Sequence, residues 1–108
     1  MIYIFDIDGT ICSNTSSDYS IAEPYYNRIE AINLLKRAGN KIIFFTARGM
    51  GRNNGNIDSA YQEFYHLTSA QLISWGVEFD QILMGKPQGD IFVDDKAITD
   101  IDFFNIEK

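Results

Sequence analysis

The sequence predicts an α/β fold, a single Rossmann-like domain over residues 1–108 whose doubly wound parallel sheet carries helices on both faces. Three observations predict it. Strand-like and helix-like segments alternate along the chain, the pattern of a parallel sheet with crossover helices. The run Lys41–Thr46 is almost continuously apolar, as a strand buried on both faces requires. Acidic residues stand at the ends of two strand-like runs, where open parallel sheets bind their ligands.

The elements follow in order. Residues 1–6 read as the first strand. Residues 11–23 crowd Ser13, Asn14, Thr15, Ser16, Ser17 and Asp18 together and read as a surface flap. Pro24 suits the first turn of a helix over Tyr25–Ala38, in which Ile29, Ile32 and Leu35 recur at the helical period beside Ala31, Leu34 and Ala38, and Gly39 closes it. Lys41–Thr46 is the second strand. The loop Gly49–Gly55 precedes a second helix, capped by Asp58, with an apolar face of Ala60, Tyr61, Phe64, Leu67, Leu72 and Trp75 and Gly76 at its end. Short strands are expected at Gln81–Met84 and Asp90–Asp94, and a terminal strand or loop at Ile101–Ile106.

Composition narrows the function. At 108 residues the chain has room for one core and none for a large cap or accessory domain. No apolar run is long enough to span a bilayer, and the start lacks a basic leader, so a cytoplasmic protein with no membrane partner is expected. The lone Cys12 excludes an internal disulfide and a multi-cysteine zinc site. A net charge of -6 argues against nucleic acid as a partner and poses a difficulty for any anionic substrate, which a bound cation would resolve.

The chemistry-bearing residues form four islands. Asp6 and Asp8 follow the first strand, two residues apart and so on one side of it, with Gly9 turning the chain away and Thr10 next. Thr46 ends the second strand, where its hydroxyl and nearby amides can hold a phosphate oxygen. Lys86 lies between Gly85 and Pro87, and Asp94 with Asp95 ends the last strand-like run. Each alone has an ordinary explanation as a turn, a strand end or a solvated charge; coincidence is a poor explanation for all four. If the two central strands are neighbours, Asp6, Asp8 and Asp94 converge, and each close carboxylate pair repels by about 4 kcal/mol at ~4 Å for an effective dielectric near 20. Only oxygen donors are on offer, which selects Mg²⁺ over zinc or copper.

In order and spacing, these islands resemble the four motifs of the haloacid dehalogenase (HAD) superfamily. The resemblance implies Asp6 as nucleophile and metal ligand, Asp8 as general acid and base with its backbone carbonyl on the metal, and Asp94 as the remaining metal ligand. It implies Thr46 and Lys86 as phosphoryl-binding groups, with Ala47 beside them and Asp95 in a supporting role. A carboxylate nucleophile divides hydrolysis into two displacements, each needing a proton moved, so a second acid is required. The presence of Asp8 favours phosphate transfer over carbon–halogen cleavage. The stretch Gly89–Ala97, with Asp90, Asp94, Asp95 and Lys96, is similar to that of small capless phosphatases of capsular or lipopolysaccharide biosynthesis, which implies a sugar or polyol phosphate as substrate; a nucleotide or polynucleotide phosphate is the alternative.

Arg48 is expected at the rim of the site, gripping the phosphate or a second anionic group, with an ordinary ion pair as the competing reading. The loop Gly49–Gly55 lacks the ending of a P-loop. His66 and Trp75 read as structural. With no lid, the leaving group is expected to meet the flap, the loop Arg48–Gly55 or a neighbouring subunit of a homo-oligomer. Two other classes compete. A phospho-receiver module uses a similar acidic cluster, but there the acidic pair comes first and the phosphorylated aspartate ends the middle strand. An inactive HAD scaffold would not need the full motif set.

Overall fold

A strand that returns parallel through a helix does so by a right-handed crossover, and two crossovers taken in one direction place both helices on the same face. The computed structural model, which describes residues 1–105, is built this way. Strands β1 (Ile2–Phe5), β2 (Lys41–Thr46) and β3 (Gln81–Met84) form a parallel sheet in the order β1-β2-β3. Helix α1 (Tyr26–Arg37) joins the first two strands and α2 (Ile57–Ser74) the second pair. A 3-10 turn at Tyr19–Ile21 lies in the flap, and α3 (Asp100–Asn105) follows the last loop.

The register sets Tyr3 beside Ile42, Phe5 beside Phe44, Phe44 beside Ile82 and Thr46 beside Met84. Side chains alternate along a strand, so these residues share one face. That face holds the core, where Phe5, Ile42, Phe44, Ile82 and Met84 meet Ile29 and Ile32 of α1 and Phe64 and Leu72 of α2. The other side is less covered: Ile2 and Ile4 of β1 are 63% and 62% exposed, although Ile43 in the central strand is buried. Helices thus cover one face, and the coverage expected on the second is not formed by the described helices.

Local chemistry explains most boundaries. Tyr25, not Pro24, is the N-cap of α1; Pro24 stands outside the helix and bridges Cys12 across the flap. The cap of α2 is Asn56, whose side chain accepts from the Ser59 amide at 2.9 Å, and Asp58 sits in the first turn, where a negative charge suits the helix dipole. Tyr61, expected on the apolar face of α2, is half exposed, and Thr68 is buried in that face. Buried Asn33 donates to the Gly76 carbonyl at 2.9 Å and accepts from the Glu78 amide at 2.8 Å, fixing the turn into β3.

Two expectations fail. Asp90–Asp94 is not a strand: Ile91 and Val93 are 82% and 94% exposed, and the stretch pairs with no strand among the described residues. Without ladder hydrogen bonds an apolar run of this length has no strand geometry to adopt. The stretch from Ile101 is helical up to Asn105, while Ile106 lies outside the described residues. Thr99 Oγ1 accepts from the Asp102 amide at 3.2 Å and starts this helix, which lays Phe103 and Phe104 against Phe5. No helix among the described residues is long and apolar enough to cross a membrane.

Candidate active site

Asp6 leaves the end of β1 and the chain turns at once, with Gly9 at φ +84°, a backbone conformation that glycine adopts without strain. The turn folds Thr10 back so that its hydroxyl donates to Asp6 Oδ2 at 3.2 Å. From the end of β3, Lys86 Nζ approaches Asp6 Oδ1 at 3.6 Å. Its loop is held by a hydrogen bond from the Lys86 amide to the Thr46 carbonyl at 3.1 Å. It also depends on Gly85, at φ +97°, where a β-carbon would come within 2.9 Å of Ile57. Three strand ends therefore deliver Asp6, Thr46 and Lys86 to one place, as expected from their positions in the sequence.

These residues line a cavity of about 310 Å³ together with Asp8, Ala47 and Arg48. Asn14, Ser16, Ser17 and Tyr19 of the flap, Pro87, Gln88 and Gly89 of the β3 loop, and Phe92 complete its wall. The buried Thr46 hydroxyl accepts from the Arg48 amide at 3.1 Å, which leaves its proton free to donate into the cavity. Alongside lies a second cavity of about 480 Å³ between the loop 49–55 and the β3 loop, lined by Met50, Asn54, Ile57 and, shared with the first, Pro87 and Gln88.

Arg48 does not stand at the rim. Its side chain is 0% exposed and grips Asp8, with Nε donating to Oδ2 and Nη2 to Oδ1, each at 2.9 Å. The expected contact with substrate is corrected to an internal ion pair. A guanidinium removed from water needs a carboxylate and filled hydrogen bonds, and the floor of the site supplies both.

Asp94 and Asp95 are also placed differently. Asp94 Oδ1 accepts from the Lys96 amide at 3.1 Å in a local turn, and Asp95 pairs with Lys96 Nζ at 3.2 Å with its side chain 81% exposed. That hydrogen bond to Lys96 holds the Asp95 carboxyl below the usual carboxylate range. Neither residue lines the cavity that contains Asp6 and Asp8. Among the described residues no three acidic, histidine or cysteine side chains stand together as a metal would need. The expected magnesium ligands are therefore not assembled in this arrangement: the Asp6 carboxylate and the Asp8 backbone lie at the end of β1, but Asp94 stands apart in its own turn.

Cys12 lies under the site, fully buried, with its Sγ 3.6 Å from Asp8 Oδ1. Burial, reinforced by the nearby Asp8 charge, pushes its thiol up to about 12, so it is no nucleophile at neutral pH. His66 is exposed on α2, away from the cavity. Sequence reasoning missed Tyr19, Thr68 and Gln71, which surround Arg48, and it did not single out Asn14, Ser16, Ser17 or Gln88 within their loops. A signal existed for two of them, because Thr68 and Gln71 are three residues apart and so share a face of α2.

No family model matches the chain, and no curated protein does. Among solved structures, a target protein from Vibrio cholerae is 30% identical, with a TM-score of 0.87 and 94% of this chain aligned to 85% of that one. The D,D-heptose 1,7-bisphosphate phosphatase of B. bronchiseptica, solved with magnesium and phosphate, is 20% identical with a TM-score of 0.53. It aligns with 89% of this chain, which spans 53% of that enzyme's length, and at this identity the likeness is one of fold. The chain belongs to the same family as the Vibrio cholerae protein and has the haloacid dehalogenase-like fold.

Proposed function

We propose that the protein is a magnesium-dependent hydrolase of phosphate monoesters that works through a phosphoryl group carried on Asp6. One observation supports this above the others: the Asp6 carboxylate faces a small cavity at the carboxyl end of a parallel sheet, with Lys86 Nζ 3.6 Å from one oxygen and Thr46 on the same wall. Cationic and hydroxyl donors beside a carboxylate suit a phosphoryl group arriving next to a nucleophile.

In the first displacement an Asp6 oxygen forms a bond to phosphorus while the ester oxygen leaves, and Asp8 gives that oxygen a proton. Water then attacks the phosphorus of phospho-Asp6, Asp8 takes a proton from it, and phosphate departs with Asp6 restored. Lys86 and Thr46 balance charge on the phosphoryl oxygens, and Lys86 limits repulsion between Asp6 and the incoming anion. The dependence on magnesium is supported by the Asp6 carboxylate as a hard oxygen donor and by the magnesium and phosphate complex of the B. bronchiseptica enzyme. A ligand role for Asp94 belongs to this proposal and requires the stretch Asp90–Lys96 to leave its exposed position, with Asp95 then in support.

For the leaving group we favour a sugar or polyol, in line with the heptose bisphosphate named for the B. bronchiseptica enzyme. Asn14, Ser16, Ser17 and Gln88 offer neutral hydrogen-bonding groups around the phosphoryl site, and the adjoining cavity is lined by no charged side chain. Surface polysaccharide synthesis in the cytoplasm is the setting that best suits such a substrate.

Hydrolysis of sugar phosphates, polyol phosphates, nucleotides and p-nitrophenyl phosphate, each with Mg²⁺ and with a chelator, tests the proposal. A sugar or polyol ester should give the highest kcat/KM and chelation should abolish turnover. Full activity after chelation would remove magnesium from the proposal, and a nucleotide outperforming every sugar phosphate would remove the carbohydrate.

A further inference from the structure

We infer that Arg48 is a positioning residue for Asp8, and that the clamp around it ties the flap to the same carboxylate. The inference rests on the proposed role of Asp8 as general acid and base. Two parallel N–H to O bonds from one planar guanidinium fix the plane of a carboxylate as well as its place, which a lysine ammonium cannot do. Asp8 remains 17% exposed beside its fully buried partner, so one side of the carboxylate meets the cavity while the other is held.

The guanidinium is itself held on every side. Nη1 donates to Gln71 Oε1 at 2.7 Å and to Thr68 Oγ1 at 3.2 Å, both on α2. The ring of Tyr19 lies over it at 4.8 Å, an attraction worth more once the cation is out of water. Tyr19 is the anchor of the flap: its carbonyl accepts from Gln71 Nε2 at 2.6 Å and its hydroxyl oxygen from the Gly49 amide at 3.1 Å. Gln71 thus holds Arg48 with one end of its amide and the flap with the other. The flap residues Asn14, Ser16 and Ser17, which line the cavity, are thereby set in place relative to the Asp8 carboxylate.

Arg48 forms part of the cavity wall, but its side chain is fully buried and its donors are spent on Asp8, Thr68 and Gln71, so its loss should act on proton transfer more than on phosphate binding. The ratio kcat/KM reports steps up to transfer of the phosphoryl group to Asp6, and there a poor alkoxide leaving group needs a proton while p-nitrophenolate needs little. The test compares glycerol 3-phosphate with p-nitrophenyl phosphate, in Mg²⁺, for wild type, Arg48→Lys, Asp8→Asn and the double variant. Arg48→Lys should lower kcat/KM about 10²-fold on the alkyl ester and less than about 10-fold on the aryl ester, acting through kcat, with the double variant no worse than Asp8→Asn alone on the alkyl ester.

Should Arg48→Lys fail to fold, Gln71→Met loosens the clamp from its outer side and should give the same ester-selective loss at about 3- to 10-fold. Equal losses on the two esters in either folded variant, a change confined to KM, or additive losses in the double variant would overturn the inference. A wild type that cleaves neither ester would overturn the proposed function and the inference with it, a failure visible before any variant is made.

Discussion

Two stretches of this chain look alike and behave differently. Ile2-Tyr3-Ile4-Phe5-Asp6 and Ile91-Phe92-Val93-Asp94-Asp95 are both short apolar runs ending in acid. The first pairs with β2 from Ile2 to Phe5, buries Phe5 among Phe44, Phe103 and Phe104, and delivers Asp6 to the cavity. The second has no strand partner among the described residues, exposes Ile91 and Val93, and folds its acids into a turn with Lys96. A strand is made by its neighbour's hydrogen bonds more than by its own composition, and a catalytic acid is placed only when its strand is.

The sharpest contrast should be in stability. Phe5→Ala removes a ring packed against four others and should cost about 3–5 kcal/mol, whereas Val93→Ser, at a position 94% exposed, should change stability by no more than about 0.5 kcal/mol. Urea denaturation of both variants measures this. Comparable losses would mean that Val93 is packed in solution and that the two stretches are equivalent after all.

Activity separates them next. If Asp94 joins the site when magnesium binds, Asp94→Asn should raise the Mg²⁺ concentration for half-maximal hydrolysis by about 10-fold or more, the range seen when a site's supporting groups are lost. An unchanged Mg²⁺ requirement would leave Asp94 a surface residue and confine the chemistry to the ends of β1, β2 and β3.

A smaller effect concerns the floor of the assembled half. The buried Cys12 keeps its proton to about 12, while in the unfolded chain it loses it near 9.0. Between those values the unfolded state binds fewer protons than the folded one, so stability should fall as pH rises through this window and the loss should be absent in Cys12→Ala. Equal pH dependence in the two proteins would show that the thiol titrates normally.

Much of the fold was legible because period and punctuation agree. The five central elements were placed from apolar spacing and glycines, and Thr46 and Lys86 were found from their places at strand ends. The rest was hidden for physical reasons. Periodicity does not say which way a side chain turns after a strand ends, so the sequence allows Arg48 either the rim of the site or an ion pair, and the structure buries it against Asp8, Thr68 and Gln71. The run Ile91–Val93 has strand composition, but composition carries no information about a partner. The Thr99 cap and the acids Asp100 and Asp102 did signal a helix start, and the apolar character of Ile101, Phe103 and Phe104 hid it.

The central claim is that Asp6 carries the phosphoryl group, and trapping it is the direct measurement. The protein is mixed with Mg²⁺ and a phosphate ester, quenched in acid during turnover, digested and read by mass spectrometry, with Asp8→Asn included to slow breakdown of the intermediate. A phosphoryl group on the peptide containing Asp6, enriched in Asp8→Asn and absent in Asp6→Asn, is the predicted result. Sustained hydrolysis by Asp6→Asn at the wild-type rate, or phosphorylation of any other residue during turnover, would contradict it.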